Sequence, residues 1–311
     1  MASYASDVKK ELTSLQVHPE HAKAELAAFL RMNGVLNLHD HQFSLDITTE
    51  NPAIARRIFT LIKVAFGIEP LLIVSRKMKL KKNNQYLVRL RQNVQEILQA
   101  LQIWDPAKGL ITRIPDRIMT SREGAMSYLR GAFLAGGSVN NPETSRYHLE
   151  IYSTYEDHNL DLAKLMNKFF YLNAKATKRR SGYIVYLKEA EKIGDFLHIV
   201  GALNAMLSFE DLRIMRDMRN SVNRLVNCDT ANLKKTATAA AKQVEDIQLI
   251  DQERGIDSLP EKLQLLAHFR LENPELSLKE VAEKLPDGPI SKSGVNHRFK
   301  KLREIADNLR E

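Results

Sequence analysis

Apolar positions along this chain change their period several times, and the changes repeat. Residues 20–33 follow helical spacing and stop at Gly34. Val35–Leu38 and Gln42–Thr48 then alternate around His39-Asp40-His41, which predicts a hairpin. Asn51-Pro52 opens a helix through Phe66, with Gly67 at its end. Leu71–Leu80 and Gln85–Arg91 predict a second hairpin around Lys82-Asn83-Asn84, and Val94–Leu101 a closing helix. The order is αββαββα over about residues 20–103.

The same order returns over about residues 121–203. Helix 121–135 leads to Gly137–Asn140 and His148–Thr154. A helix over 156–171 follows, then Lys175–Arg180 and Tyr183–Leu187 around Ser181-Gly182, then a helix from Glu189 to Val200. The leading helices read ELAAFLRMNGVLNL at 25–38 and YLRGAFLAGGSVNNP at 128–142, with Gly34 and Gly137 standing 103 residues apart. That periodicity predicts a duplication. Ala27, Ala28, Gly131, Ala132 and Ala135 would let the two helices approach closely; the plainer reading is an Ala-rich core helix in each repeat.

The leading helices resemble the LAGLIDADG helix of homing endonucleases, in which an acidic residue precedes the terminal Gly. Here Asn33 and Gly136 hold those positions. Cleaving a phosphodiester with a metal needs carboxylates to hold the cation. Asn supplies only an amide oxygen and Gly no side chain. The resemblance therefore implies a DNA-shaped scaffold without catalytic residues, metal or cofactor. The rival reading is a nuclease using displaced acids such as Asp40, Asp46 or Glu143.

Residues 204–253 hold no Gly or Pro and predict a helical connector, broken at Arg254-Gly255. A third unit follows. One helix begins at Leu259-Pro260, and Ser277 with Glu280 makes a capping box for a second. Pro286-Asp287-Gly288-Pro289 predicts a turn. The last helix runs from Ser291 or Ser293 to Leu309, with Val295, Phe299, Leu302, Ile305, Ala306 and Leu309 as its apolar stripe. Ser293, Asn296, His297, Lys300 and Lys301 point away from that stripe. This is the pattern of a helix-turn-helix, whose last helix enters the major groove. Ser293, Asn296 and His297 are the candidate base contacts. Lys292, Arg298, Lys300, Lys301 and Arg303 are the candidate phosphate contacts, with no acid between 290 and 303. A helical protein-interaction bundle with a solvated basic face is the alternative.

The expected fold class is α+β: an N-terminal helix (1–19), a duplicated LAGLIDADG-like domain (20–203), a helical connector (204–255) and an all-α helix-turn-helix domain (256–311). Composition adds little to exclude: 44% of residues are hydrophobic and 27% charged, with 46 basic against 38 acidic residues, a net +8. The placement of charge is more informative. Arg76, Lys77, Lys79, Lys81, Lys82, Arg89 and Arg91 lie on the second hairpin of the first repeat, and Lys175, Lys178, Arg179, Arg180 and Lys188 on or beside that of the second. Arg76, Lys77, Lys79, Lys178, Arg179 and Arg180 are candidate phosphate contacts of a saddle across DNA; a lysine-protected strand edge is the alternative. Arg213, Arg216, Arg219 and Arg224, with Lys234, Lys235 and Lys242, either extend that track or face solvent.

Cys228 is the single cysteine and is expected to be packed. His39-Asp40-His41 lacks the further ligands a metal needs. MASYASDVKKELTSL has no apolar run of a secretory signal, and no segment is long and apolar enough to predict a membrane span. A cytoplasmic protein is expected.

Three stretches resemble one family, the WhiA transcriptional regulators of Gram-positive bacteria: SYASDVKKEL at 3–12, NRLVNCDTANLKKT at 223–236 and ISKSGVNHRFKKL at 290–302. The resemblance implies a nucleoid-associated, sequence-specific regulator linked to cell division, chromosome segregation or sporulation. Its implied partners are double-stranded DNA and transcription or cell-division proteins. An adaptor in which protein contacts dominate is the alternative. Asn227, Asp229 and Asn232 in the second stretch carry no chemistry derivable from sequence.

Overall fold

A computed structural model of the chain describes residues 3–39, 42–76, 84–143 and 146–310. It separates into two compact units, residues 1–216 and 217–311.

In the first unit, the Ser3 hydroxyl caps α1 (Tyr4–Ser14) by accepting from the Ser6 N–H. α2 (Pro19–Asn33) carries Pro at its first position. β1 (Gly34–His39) and β2 (Gln42–Thr49) pair antiparallel. α3 (Pro52–Phe66) is capped by Asn51, whose Oδ1 accepts from Ala53 N at 2.8 Å, and it ends at Gly67 with φ 67°. That left-handed conformation suits Gly, which pays no Cβ penalty there. β3 (Leu71–Arg76), β4 (Asn84–Leu90) and α4 (Val94–Ala100) complete the first repeat. The small hairpin β5 (Trp104–Asp105) and β6 (Gly109–Leu110) and the short α5 (Asp116–Met119) join the repeats.

The second repeat is α6 (Arg122–Gly136), β7 (Gly137–Val139), β8 (Leu149–Ser153), α7 (Glu156–Phe170), β9 (Lys175–Arg179), β10 (Gly182–Leu187) and α8 (Ala190–Val200). The two sheets have matching orders, β1-β2-β4-β3 and β7-β8-β10-β9. Their registers match as well. Gly34 pairs with Ile47 and Gly137 with Ile151; Ile47 then pairs with Val88 and Ile151 with Val185.

The two leading helices pack directly together. A Cβ on Gly131 would stand 2.3 Å from the Glu25 carbonyl oxygen and 3.0 Å from the Ala28 Cβ. Only Gly fits there, and Ala27, Ala28 and Ala132 are fully buried alongside it. Around this axis lie charges that helical periodicity would assign to solvent. Buried Glu25 receives Arg57 Nε at 2.6 Å and Nη2 at 2.8 Å, with Arg130 Nη1 at 3.4 Å. Buried Arg31 donates to the Gln102 carbonyl at 2.8 Å and to Tyr128 Oη at 3.4 Å. Tyr128 Oη lies 2.7 Å from His158 Nε2, and His158 Nδ1 lies 2.8 Å from Ser153 Oγ. Burial, and then the Arg31 charge, push the His158 imidazole down to about 3, so it is neutral at ordinary pH.

α9 (Leu203–Arg254) runs as one helix of 52 residues through the expected connector and across the division at 216/217. Gly255, with φ 74°, ends it, and a 3₁₀ turn (Ile256–Ser258) follows. α10 (Glu261–Glu272), α11 (Leu278–Lys284) and α12 (Lys292–Arg310) complete the second unit. Its core joins Ile247 and Ile250 of α9 to Leu263, Leu266, Val281, Val295, Phe299, Leu302 and Ala306. Cys228 is exposed rather than packed, because this part of α9 presents it to solvent.

Candidate nucleic-acid interface

α11 and α12 are fixed to one another by local bonds that the sequence encodes. Ser277 Oγ accepts from Glu280 N at 3.3 Å, and Glu280 Oε2 accepts from Ser277 N at 2.8 Å. These bonds hold the Glu280 carboxyl below its usual range. The turn passes through Gly288 at φ 99°, and Ile290 N donates to the Ala282 carbonyl at 2.9 Å. Ser291 Oγ accepts from Gly294 N at 3.1 Å and starts α12. Val295, Phe299, Leu302 and Ala306 are buried. Ser293, Asn296 and His297 are exposed together on the opposite side, with Lys292, Lys300, Lys301 and Arg303 exposed beside or beyond them.

Arg298 departs from this group. Its Nη1 donates to Asp287 Oδ2 at 2.8 Å, and both side chains are mostly covered. The acid comes from the preceding turn, so an acid-free window starting at 290 misses it. Arg298 braces the turn against α12 and is not a free cation for phosphate. Lys300 and Arg303 lie 3.9 and 4.0 Å from Glu304 and Asp307. These exposed pairs are loose and weak, and leave both cations available.

The second basic surface divides between the repeats. On β2 and β4, Leu45, Ile47, Val88 and Leu90 face the core. The opposite face carries Asp46 and Arg89, joined by Nε–Oδ1 and Nη2–Oδ2 bonds of 2.7 Å, with Asn37 Nδ2 donating to Asp46 at 3.0 Å. Arg89 is thus neutralised. Leu71 pairs with Arg89 and Ile73 with Leu87 on this same face, both exposed. Arg76 is exposed at the end of β3; Lys77 and Lys79 lie outside the described residues.

In the second repeat the matching register positions differ. Lys175 pairs with Tyr186, Thr177 with Ile184 and Arg179 with Gly182. Lys175 and Arg179 therefore stand where Leu71 and Ser75 stand in the first repeat, and are exposed. Strand alternation puts Lys178 on the other side of the sheet, the side of Ile151 and Leu149, and Arg180 lies in the turn. The run Lys178-Arg179-Arg180 does not form one patch. Its face-sharing partner is Lys175, which alternation could have identified. Glu150 on that face is paired to His148 at 2.9 Å.

At the motif ends, Asn33 Nδ2 donates to the Ala135 carbonyl at 3.3 Å and ties one leading helix to the other. A Cβ on Gly136 would meet Met32 Cε at 2.8 Å and the Tyr152 carbonyl oxygen at 2.9 Å, so this position has no room for a carboxylate. Of the displaced acids, Asp46 is occupied by Arg89 and Asn37, and Asp40 lies outside the described residues. Glu143 stands in a loop. Among the described residues, no three His, Cys, Asp or Glu side chains gather as a metal site.

Arg213 pairs with Glu210 at 3.2 Å, and Arg216 lies over the Tyr147 ring. Arg219, Arg224, Lys234, Lys235 and Lys242 are exposed. Sequence reasoning missed Arg270. It is 1% exposed, donates to the Leu276 carbonyl at 2.6 Å and stacks its guanidinium over Phe299. One turn after Leu266 and Ala267 on α10, it continues their buried side, a signal masked by its charge.

A duplicated αββαββα unit with glycine-packed leading helices, followed by a helix-turn-helix, defines a LAGLIDADG-like scaffold carrying a helix-turn-helix domain. Family models agree along the chain: the WhiA N-terminal LAGLIDADG-like domain over residues 19–104, the WhiA LAGLIDADG-like domain over 125–219 and the WhiA C-terminal HTH domain over 222–306. The chain belongs to the WhiA family. A protein of Lactobacillus acidophilus named "Probable cell division protein WhiA" is 88% identical over 311 residues, all of both chains. Its counterpart in Lactobacillus helveticus, of the same name, is 86% identical over the same span. The crystal structure of full-length DUF199/WhiA from Thermatoga maritima matches over 98% of each chain at 27% identity, with a TM-score of 0.59. Among the described residues, no helix is long and apolar enough to cross a membrane.

Proposed function

We propose that this chain is a sequence-specific, non-cleaving DNA-binding regulator acting in cell division, in the cytoplasm at the nucleoid. One observation carries the reading. The first half of α12 exposes Ser293, Asn296 and His297 together while its buried stripe is fully used by the core. Base edges need side chains with donors and acceptors, and Asn pairs with adenine through two bonds. Lys292, Lys300, Lys301 and Arg303 supply the phosphate contacts. Lys175 and Arg179 of the second repeat add further charge. The naming of the relatives as cell division proteins supports the cellular role. The full Gly136 site and the occupied Asp46 support the absence of cleavage.

The test starts from a duplex selected out of random sequence by the full-length protein. Asn296→Ala is expected to weaken binding to that duplex by about 1–3 kcal/mol and to leave non-specific binding unchanged. Equal loss on both duplexes makes Asn296 a phosphate or structural contact. The same preparation with Mg²⁺ or Mn²⁺ is expected to leave plasmid DNA un-nicked.

A second reading has its own support in the first repeat. Leu71 and Ile73 are 49% and 38% exposed on the outer face of edge strand β3, and Val35, on the same face of the opposite edge strand β1, is 55% exposed. An apolar face of this kind suits a protein partner better than a phosphate backbone. The regulator then also serves as an adaptor.

A further inference from the structure

The second unit contains a cavity of about 400 Å³ between α9 and the helix-turn-helix. Its polar lining includes Asn232, Lys235 and Gln243 of α9, Arg270 of α10, Lys279 of α11 and Lys292 of α12. Four cations face one space, and no carboxylate is among its lining residues. Outside the lining, Glu283 is 3.9 Å from Lys279, with both side chains largely in water, and the Glu275 charge acts on Arg270. Like charges gathered in a concave site repel unless an anion joins them, and the concavity strengthens their field.

Two atoms of the lining are left without partners. Arg270 Nε is buried without a hydrogen-bond partner, on a side chain 1% exposed. Gln243 Oε1 is buried without one as well. Buried polar groups are nearly always paired, so Arg270 Nε lacks an acceptor, while the lysine ammoniums of the same lining are donors for Gln243 Oε1. A phosphate group supplies several acceptor oxygens to the arginine and the lysines at once. Hydrogen phosphate adds a P–OH donor that sulfate lacks.

We infer that this cavity is a phosphate-binding subsite, joining Lys235 of α9 to Arg270, Lys279 and Lys292 of the helix-turn-helix domain. It gives the NRLVNCDTANLKKT stretch a task, because Asn232, Lys235 and Thr236 of that stretch line the cavity. Lys292 is also the first residue of α12, so a phosphate held here takes charge from the DNA-facing surface. The phosphate has two sources, a free phosphate compound or the backbone of bound DNA. The DNA arm of the test rests on the function proposed above.

The experiment uses the full-length protein in chloride buffer at constant ionic strength. Inorganic phosphate is titrated calorimetrically, with sulfate in parallel. Saturable binding near one phosphate per chain is expected, with sulfate weaker. Lys235→Ala, an exposed position whose fold is checked by circular dichroism, is expected to weaken phosphate at least about tenfold. In the second arm DNA affinity is measured in phosphate-free buffer. No phosphate binding, with a Lys235→Ala salt slope flatter by about 0.9, assigns the site to a DNA phosphate. No phosphate binding and unchanged DNA binding in Lys235→Ala overturn the inference. If wild-type DNA binding persists in that case, the proposed function stands without it.

Discussion

The two repeats of the first unit share strand order and register, yet present opposite chemistry on their outer faces. Where the second repeat places Lys175, Thr177 and Arg179, the first places Leu71, Ile73 and Ser75. The arginine on the outer face of the first, Arg89, is partly covered and neutralised by Asp46. Duplication therefore preserved the inner faces, where packing dictates residue type, and left the outer faces to diverge. Among the described residues, the outer face of β9 is charged where that of β3 is mostly apolar, which suits the two faces to different partners.

The same asymmetry extends to the motif ends, and this gives the largest expected effect. Gly136→Asp forces a side chain against Met32 and the Tyr152 carbonyl and should cost about 2–4 kcal/mol of stability. Asn33→Asp, at the equivalent position, exchanges one half-exposed bond to Ala135 for a charge and should cost about 1 kcal/mol. Trp104, the single tryptophan, lies in this unit and reports its denaturation by fluorescence. Equal losses would mean that the two ends are equally accommodating.

The next contrast is acid sensitivity. The second repeat buries His158, held neutral with its pKa near 3. The unfolded chain takes up a proton as pH falls through about 6.5, and the folded one does not until about 3. Stability is complete above the upper value and is lost on acidification. Between pH 7 and 5 this removes about 2 kcal/mol. His158→Gln should flatten that dependence in the Trp104 signal; an unchanged pH slope would locate the acid sensitivity elsewhere.

The smallest effect tests the outer faces themselves. Lys175→Ala with Arg179→Ala should weaken binding to every duplex and flatten its salt slope by up to about 1.8. Arg89→Ala should leave the slope alone, since its charge is already held by Asp46. A double variant that binds as the wild type does would leave this domain to protein partners.

Both repeats were legible in the sequence because apolar period and glycine stops mark long elements. β5 and β6, two residues each, are too short to show a period, and α5 too short to show a stripe. The exposed set on α12 followed from its stripe alone. What escaped was pairing at a distance. Arg298 finds Asp287 across a turn, and Arg57 reaches Glu25 from another helix. Nothing local announces such partners, and charged residues on helices read by default as solvent-facing. Lys178 illustrates a different limit, since adjacent strand residues share a sequence run but not a face.

Gly136 has a consequence for the history such a chain can follow. Every glycine codon lies one base from a codon for aspartate or glutamate, so a carboxylate is always one mutation from this position. The packing of Met32 and Tyr152 closes that route. Any return toward a paired-acid motif must first loosen two neighbours that gain nothing by moving. Close packing at the helix end works as a ratchet, holding this position to glycine although the genetic distance to a carboxylate is short.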